Sequence, residues 1–141
     1  MTKRTGLSGA LGLLALMAMG AAPLSAQATL ICSIADYREC NADGDCIDQA
    51  ENPADFPAFI TIDRANEIVR ASEPRFADRT SPISTTVEEN GRLMLAGFQS
   101  GRAWSITYVA ETGEMSLAIS DPDAAILVFG RCLSHEETGT P

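Results

Sequence analysis

Hydrophobic and polar residues alternate along much of this chain. Trp104, Ile106 and Tyr108 alternate with Ser105 and Thr107, and Met115, Leu117 and Ile119 with Ser116, Ala118 and Ser120. Ile83, Thr85 and Val87 alternate with Ser84 and Thr86. Period two predicts β-strands with one buried face. Residues 93–98 and 125–129 are apolar throughout. Such runs predict strands covered on both faces, near a sheet centre or a closure. Shorter strands are expected at 58–63 and 67–71, and an opening strand at 30–35. The total is about eight.

The connections predict hairpins. Asn90-Gly91 suits a two-residue turn with both residues at positive φ, and Ser100-Gly101 joins the next pair of strands. Glu111-Thr112-Gly113 suits a three-residue loop, and Pro122 fixes φ in the turn of residues 121–123. Short sequential links imply an antiparallel meander. A twisted meander of this size tends to close and so remove its edges. The expected fold is therefore all-β, a small antiparallel barrel, with an open sheet or sandwich as the alternative. Residues 47–56 have room for one or two helical turns, interrupted by Pro53 and Pro57. Residues 70–82, with two prolines and few apolar side chains, read as a long surface loop.

The first residues follow a different pattern. Lys3 and Arg4 precede an uncharged stretch that runs to Ala35, with a dense apolar centre at residues 11–19. Small residues follow Gly20 and Pro23. This is the order of a bacterial Sec-type signal peptide, with cleavage expected after Ala28, or alternatively after Ala26. The apolar run is short for a membrane-spanning helix, which needs about 20 residues. The expected organisation is a signal peptide at 1–28, one domain at 29–134 and a flexible tail at 135–141. The expected location is the periplasm or beyond the cell, with no stable membrane insertion after cleavage.

Removing residues 1–28 changes the charge balance. The remainder holds eight Arg, no Lys and all 19 acids, a balance of −11 against −9 for the whole chain. A balance this acidic argues against nucleic acid as a partner, because phosphate neutralisation needs clustered Lys and Arg. A cationic protein or a metal ion becomes the favoured class of partner.

Four cysteines follow the leader: Cys32, Cys40, Cys46 and Cys132. An even number in a small exported domain reads as two disulfides. Three pairings are possible, and Cys40–Cys46 with Cys32–Cys132 is favoured. The first closes a turn-rich loop, and the second ties the first strand to the last. Neither a zinc knuckle nor a Cys-x-x-Cys redox motif is present.

Candidate chemistry is sparse. Asn41, Asp43 and Asp45 around Gly44 match part of a calcium loop, but Glu39 and Ala50 stand at its first and twelfth positions. Arg64, Arg70, Arg75 and Arg79 fall in one stretch. They suit either an anionic ligand or pairing with surface acids. His135 is the only His, and neither His-Glu-x-x-His nor Gly-x-Ser-x-Gly occurs. The chain is read as a non-enzyme without a cofactor. Trp104, Tyr108 and Phe98 could line a cavity if the barrel carries a small ligand.

Residues 99–104, Gln-Ser-Gly-Arg-Ala-Trp, resemble the Ser-Gly-x-x-Tyr loop of periplasmic inhibitors of C-type lysozyme. Ser100 matches the family's serine, and Trp104 stands where the family has Tyr. The second motif of that family, built around Lys-Gly, is missing. The resemblance implies a small, exported, disulfide-tied barrel whose loop enters a lysozyme cleft. Ser100, Arg102 and Trp104 then become candidate binding residues. The overall expectation is an exported acidic β-domain acting as a protein-binding, inhibitor-like module. A small-ligand carrier and a weak calcium binder are the alternatives.

Overall fold

The computed structural model describes residues 28–48 and 56–135. Its strands are β1 Thr29–Asn41, β2 Cys46–Asp48, β3 Phe59–Asp63, β4 Ile68–Ala71 and β5 Thr80–Glu89. They continue as β6 Arg92–Gln99, β7 Arg102–Val109, β8 Glu114–Ser120 and β9 Ala124–His135. From β3 to β9 each strand pairs antiparallel with the next. β1 pairs with β3 on one edge and with β9 on the other. Eight strands thus close into the barrel that the alternation predicts, and β2 lies beside the far half of β1. Among the described residues the only helical segment is a 3-10 turn, Pro74–Phe76.

Closure runs the full length of β1, from Thr29 opposite His135 to Asn41 opposite Ala124. A bulge between Ile34 and Asp36 bends the seam there. Gly130 faces the bend, where a Cβ would lie 2.0 Å from the Ser33 carbonyl oxygen. Only glycine lets the two backbones approach so closely. Cys32 and Cys132 are directly opposed across the seam and are bonded; Cys40 and Cys46 are likewise bonded across β1 and β2. Both disulfides are the favoured ones. They indicate an oxidising environment. No helix among the described residues is long and apolar enough to cross a membrane.

Inside, Leu30, Ile62, Leu93 and Val128 have no exposed surface, and Leu95 and Ile106 are nearly as buried. The two apolar runs differ from expectation, because only one face of each is covered. Leu93 and Leu95 point inward, while Met94 and Phe98 are exposed. Val128 points inward between exposed Leu127 and Phe129. Phe98 therefore faces away from the barrel interior that it was expected to line.

β5 departs from the pattern as well. A bulge between Ile83 and Thr85 reverses its phase, so Val87 opposes outward-facing Met94 and is exposed. β5 also begins inside the stretch expected to be loop. Pro82 lies within it, at the last position where β4 still pairs, a place where a missing N–H is tolerated. β1 is twice as long as the expected 30–35 strand, since Asp36, Arg38 and Glu39 break the apolar alternation while the ladder to β9 continues. Ile47 lies in β2 rather than in a helical turn. β9 runs through His135. Residues 1–27 of the expected signal peptide (1–28), residues 49–55, and residues 136–141 of the expected tail (135–141) lie outside the described residues.

Candidate functional site at the barrel mouth

In an antiparallel barrel alternate turns share an end. One end holds the β3–β4, β5–β6 and β7–β8 turns. The other, the mouth, gathers the β1–β2, β6–β7 and β8–β9 turns and the loop between β4 and β5. The calcium-loop residues Asn41, Asp43 and Asp45 and the inhibitor-like residues Ser100, Arg102 and Trp104 all belong to this mouth.

An apolar recess of about 180 Å³ opens there. Ile106 and Leu117, both buried, lie deepest, and Trp104, Ile119, Val69 and Phe56 form its sides. Trp104 lies flat against β6 because residue 97, its cross-strand partner, is glycine. A Cβ at Gly97 would sit 2.3 Å from the indole and 2.4 Å from the Pro82 carbonyl oxygen. The indole Nε1–H donates to Ser81 Oγ at 2.6 Å, which satisfies a polar group in an apolar wall. Gln99, Ser81 and Arg79 add polarity at the opening.

The three inhibitor-like residues are divided by this geometry. Ser100 is at the tip of the β6–β7 hairpin with φ 51°, followed by Gly101 at 82°, both in the left-handed region that a type I′ turn requires. Arg102 is exposed, and its Nε donates to Asp121 Oδ2 at 2.9 Å. Asp121 Oδ1 accepts the backbone N–H groups of Asp123 and Ala124. Those backbone donors, with Arg102 adding to them, hold the Asp121 carboxyl below the usual carboxylate range. Trp104, in contrast, is buried in the recess wall.

The acidic turn lies on the same rim. Asn41 Oδ1 accepts the N–H groups of Asp43 and Asp45, at 3.1 and 2.9 Å, and so closes an Asx-type turn. Gly44 takes φ 90°. Asp43 and Asp45 are exposed, and no group of three metal-ligating side chains forms among the described residues. Near this rim, Tyr37 packs against Phe56 with the rings tilted by 48° and their centroids 4.9 Å apart, and donates its O–H to Glu39 Oε2 at 3.0 Å. Burial, and then the bond to Glu39, push the Tyr37 phenol up to about 12.

The four clustered arginines disperse. Arg64 meets Glu88 at 3.0 Å at the opposite end of the barrel. Arg70 pairs with Asp63 on the outer face, and Arg75 with Glu73. The guanidinium groups of Arg75 and Arg79 both stack on buried Phe76, at 4.5 and 4.4 Å.

No protein-family model, curated protein or solved structure matches this chain.

Reading the sequence missed the recess itself. Ser81, Gln99 and Gly97 carry no motif, and they meet only because β5, β6 and β7 are neighbours. The glycine opposite a tryptophan in a predicted hairpin is the one signal that could have revealed it.

Proposed function

We propose that this chain is an exported, periplasmic protein-binding module of the inhibitor type, acting through the barrel mouth.

 The leader-like order of residues 1–28 supports export to the periplasm, and the two disulfides agree with an oxidising destination. The observation that carries the reading is the β6–β7 hairpin. Its Ser100-Gly101 tip is exposed, while its base is held by the Arg102–Asp121 pair and by Trp104 packed on Gly97. A tip so preorganised loses little conformational freedom on binding. The balance of −11 beyond residue 28 would steer a cationic partner toward the rim.

A carrier that encloses its ligand is less well supported. Ligand cavities usually span about 300–1,000 Å³, and the recess offers about 180 Å³ above a filled interior. A binding role also suits the position of His135, the only His, which ends β9 at the barrel end remote from the recess.

The test is titration of a cationic C-type lysozyme with the oxidised protein at low and high salt. The expected result is saturable, salt-weakened binding with loss of lytic activity, reduced by Ser100→Trp at the tip. Undiminished lysis at excess protein, with no binding, would remove lysozyme as the target.

A further inference from the structure

We propose that the outer edge of β5 pairs with the same edge of a second copy of this chain, joining two barrels at the end remote from the mouth. The contact is independent of the inhibitor reading. The barrel closes unevenly along β5. Among the described residues, β4 pairs with it only from Thr80 to Pro82, and the N–H of Ile83 donates to the Glu67 carbonyl. β6 accompanies it as far as Glu89. Every residue from Ser84 to Glu89 is exposed, on both faces of the strand. A strand flanked on both sides alternates instead, as β7 does with Trp104, Ile106 and Tyr108 buried between less covered neighbours. An open edge of this kind is a template for pairing with another strand.

Register selects the occupant. Asn90-Gly91 is a two-residue turn, so Glu89 and Arg92 exchange both hydrogen bonds, and so do Val87 and Met94. The N–H and C=O groups of Thr86 and Glu88 therefore point away from β6, along the edge. When the edge pairs antiparallel with itself about Val87, Thr86 exchanges hydrogen bonds with Glu88 of the second copy, and Glu88 with its Thr86. Val87 meets Val87 at the close, non-hydrogen-bonded position on the two-fold axis, with exposed Met94 beside each. Glu89 falls opposite Thr85, so no acid faces an acid. Moving the axis to Glu88 would set that residue against itself. The edge is also close to neutral in a strongly acidic chain: Glu88 is paired with Arg64 at 3.0 Å, and Arg92 is the cross-strand neighbour of Glu89. A cationic strand gains little there, whereas two copies meet without local repulsion. Because the paired strands run in opposite directions, the two mouths point apart and stay open.

Sedimentation equilibrium of the oxidised protein at low and high salt is the test. A monomer–dimer equilibrium with submillimolar Kd is expected. Salt should tighten it, because each copy carries a balance of −11 beyond residue 28. Val87→Lys and Val87→Glu should each weaken association at least about tenfold, since like charges then face each other across the axis. An equimolar mixture of the two should restore it as a heterodimer. Thr86→Pro should abolish it, because Pro is tolerated on an edge where the N–H leaves the sheet but has no donor to offer. Native disulfides and an unchanged Trp104 indole resonance establish that each variant is folded. A monomer at every concentration up to millimolar overturns the proposal and leaves the edge to a foreign strand. So does a dimer that persists in folded Thr86→Pro, or a mixture of the two Val87 variants that stays monomeric.

Discussion

The two ends of the barrel use the same alternation to opposite effect. At the end that carries the β5–β6 turn, Leu30, Ile62 and Leu93 are wholly buried in the bore. At the mouth, Trp104 lies against the wall over Gly97 and leaves a recess beside it. A strand pattern decides which face is buried, but the sizes of opposing residues decide whether the space between them is filled. A large side chain opposite a glycine keeps packing to the wall and leaves the axis open.

The largest expected effect concerns the seam that both ends share. Replacing Cys32 and Cys132 by Ala opens a closure between residues 100 apart in sequence. The chain-entropy treatment assigns such a crosslink about 4.7 kcal/mol, against about 2 kcal/mol for a loop as short as Cys40–Cys46. Urea unfolding of the two double variants should show this order. Equal losses would mean that β1 and β9 hold together without the bond, and that closure owes more to the ladder than to covalent restraint.

Next come paired truncations. Leu93→Ala at the filled end should cost about 3–5 kcal/mol, the range for cavity formation in a close-packed core. Ile119→Ala beside the recess should cost about 1–2 kcal/mol, because part of its surface is already uncovered. Denaturant midpoints at equal m-value measure both. Similar costs would show that the mouth is as tightly packed as the opposite end.

Much of the fold was legible because local rules and tertiary structure agreed. Asn90-Gly91 forms its turn at φ 51° and 73°, and the cysteines pair as the first-to-last closure requires. Legibility failed where one extra residue reversed a face. The bulge after Ile83 turned Val87 outward, and the bulge after Ile34 carried β1 past the point where alternation ended. It failed again at 93–98, because an apolar run does not reveal whether anything covers its outer face. At the site, Ser100 and Arg102 were visible as a turn motif. The recess was not, since its polar members come from separate strands and share no spacing.

Gly97→Ala tests the recess wall directly. The added methyl meets both the indole and the Pro82 carbonyl oxygen, and the backbone atom has no side-chain freedom with which to yield. The expected cost is about 1–3 kcal/mol, as for other overpacked sites. Trp104 emission should shift to longer wavelength as the ring leaves the wall and the bond to Ser81 breaks. Lost stability without a spectral change would place the strain in β5 rather than in the recess.

The smallest effect is a pH dependence confined to the mouth. The Tyr37 phenol titrates near 12 in the folded protein, raised first by burial and then by the bond to Glu39. The ordinary value, about 10, applies to the unfolded chain. Because the folded value is the higher one, the neutral phenol contributes its stabilisation fully below pH 10, and the contribution is lost as pH rises through 12. Wild type should therefore lose more thermal stability than Tyr37→Phe between pH 10 and 12. The difference in absorbance at 295 nm between the two proteins should show ionisation near the upper value. Ionisation near 10 would mean that water reaches the Tyr37–Glu39 pair freely, and the mouth would then be more open than its packing against Phe56 implies.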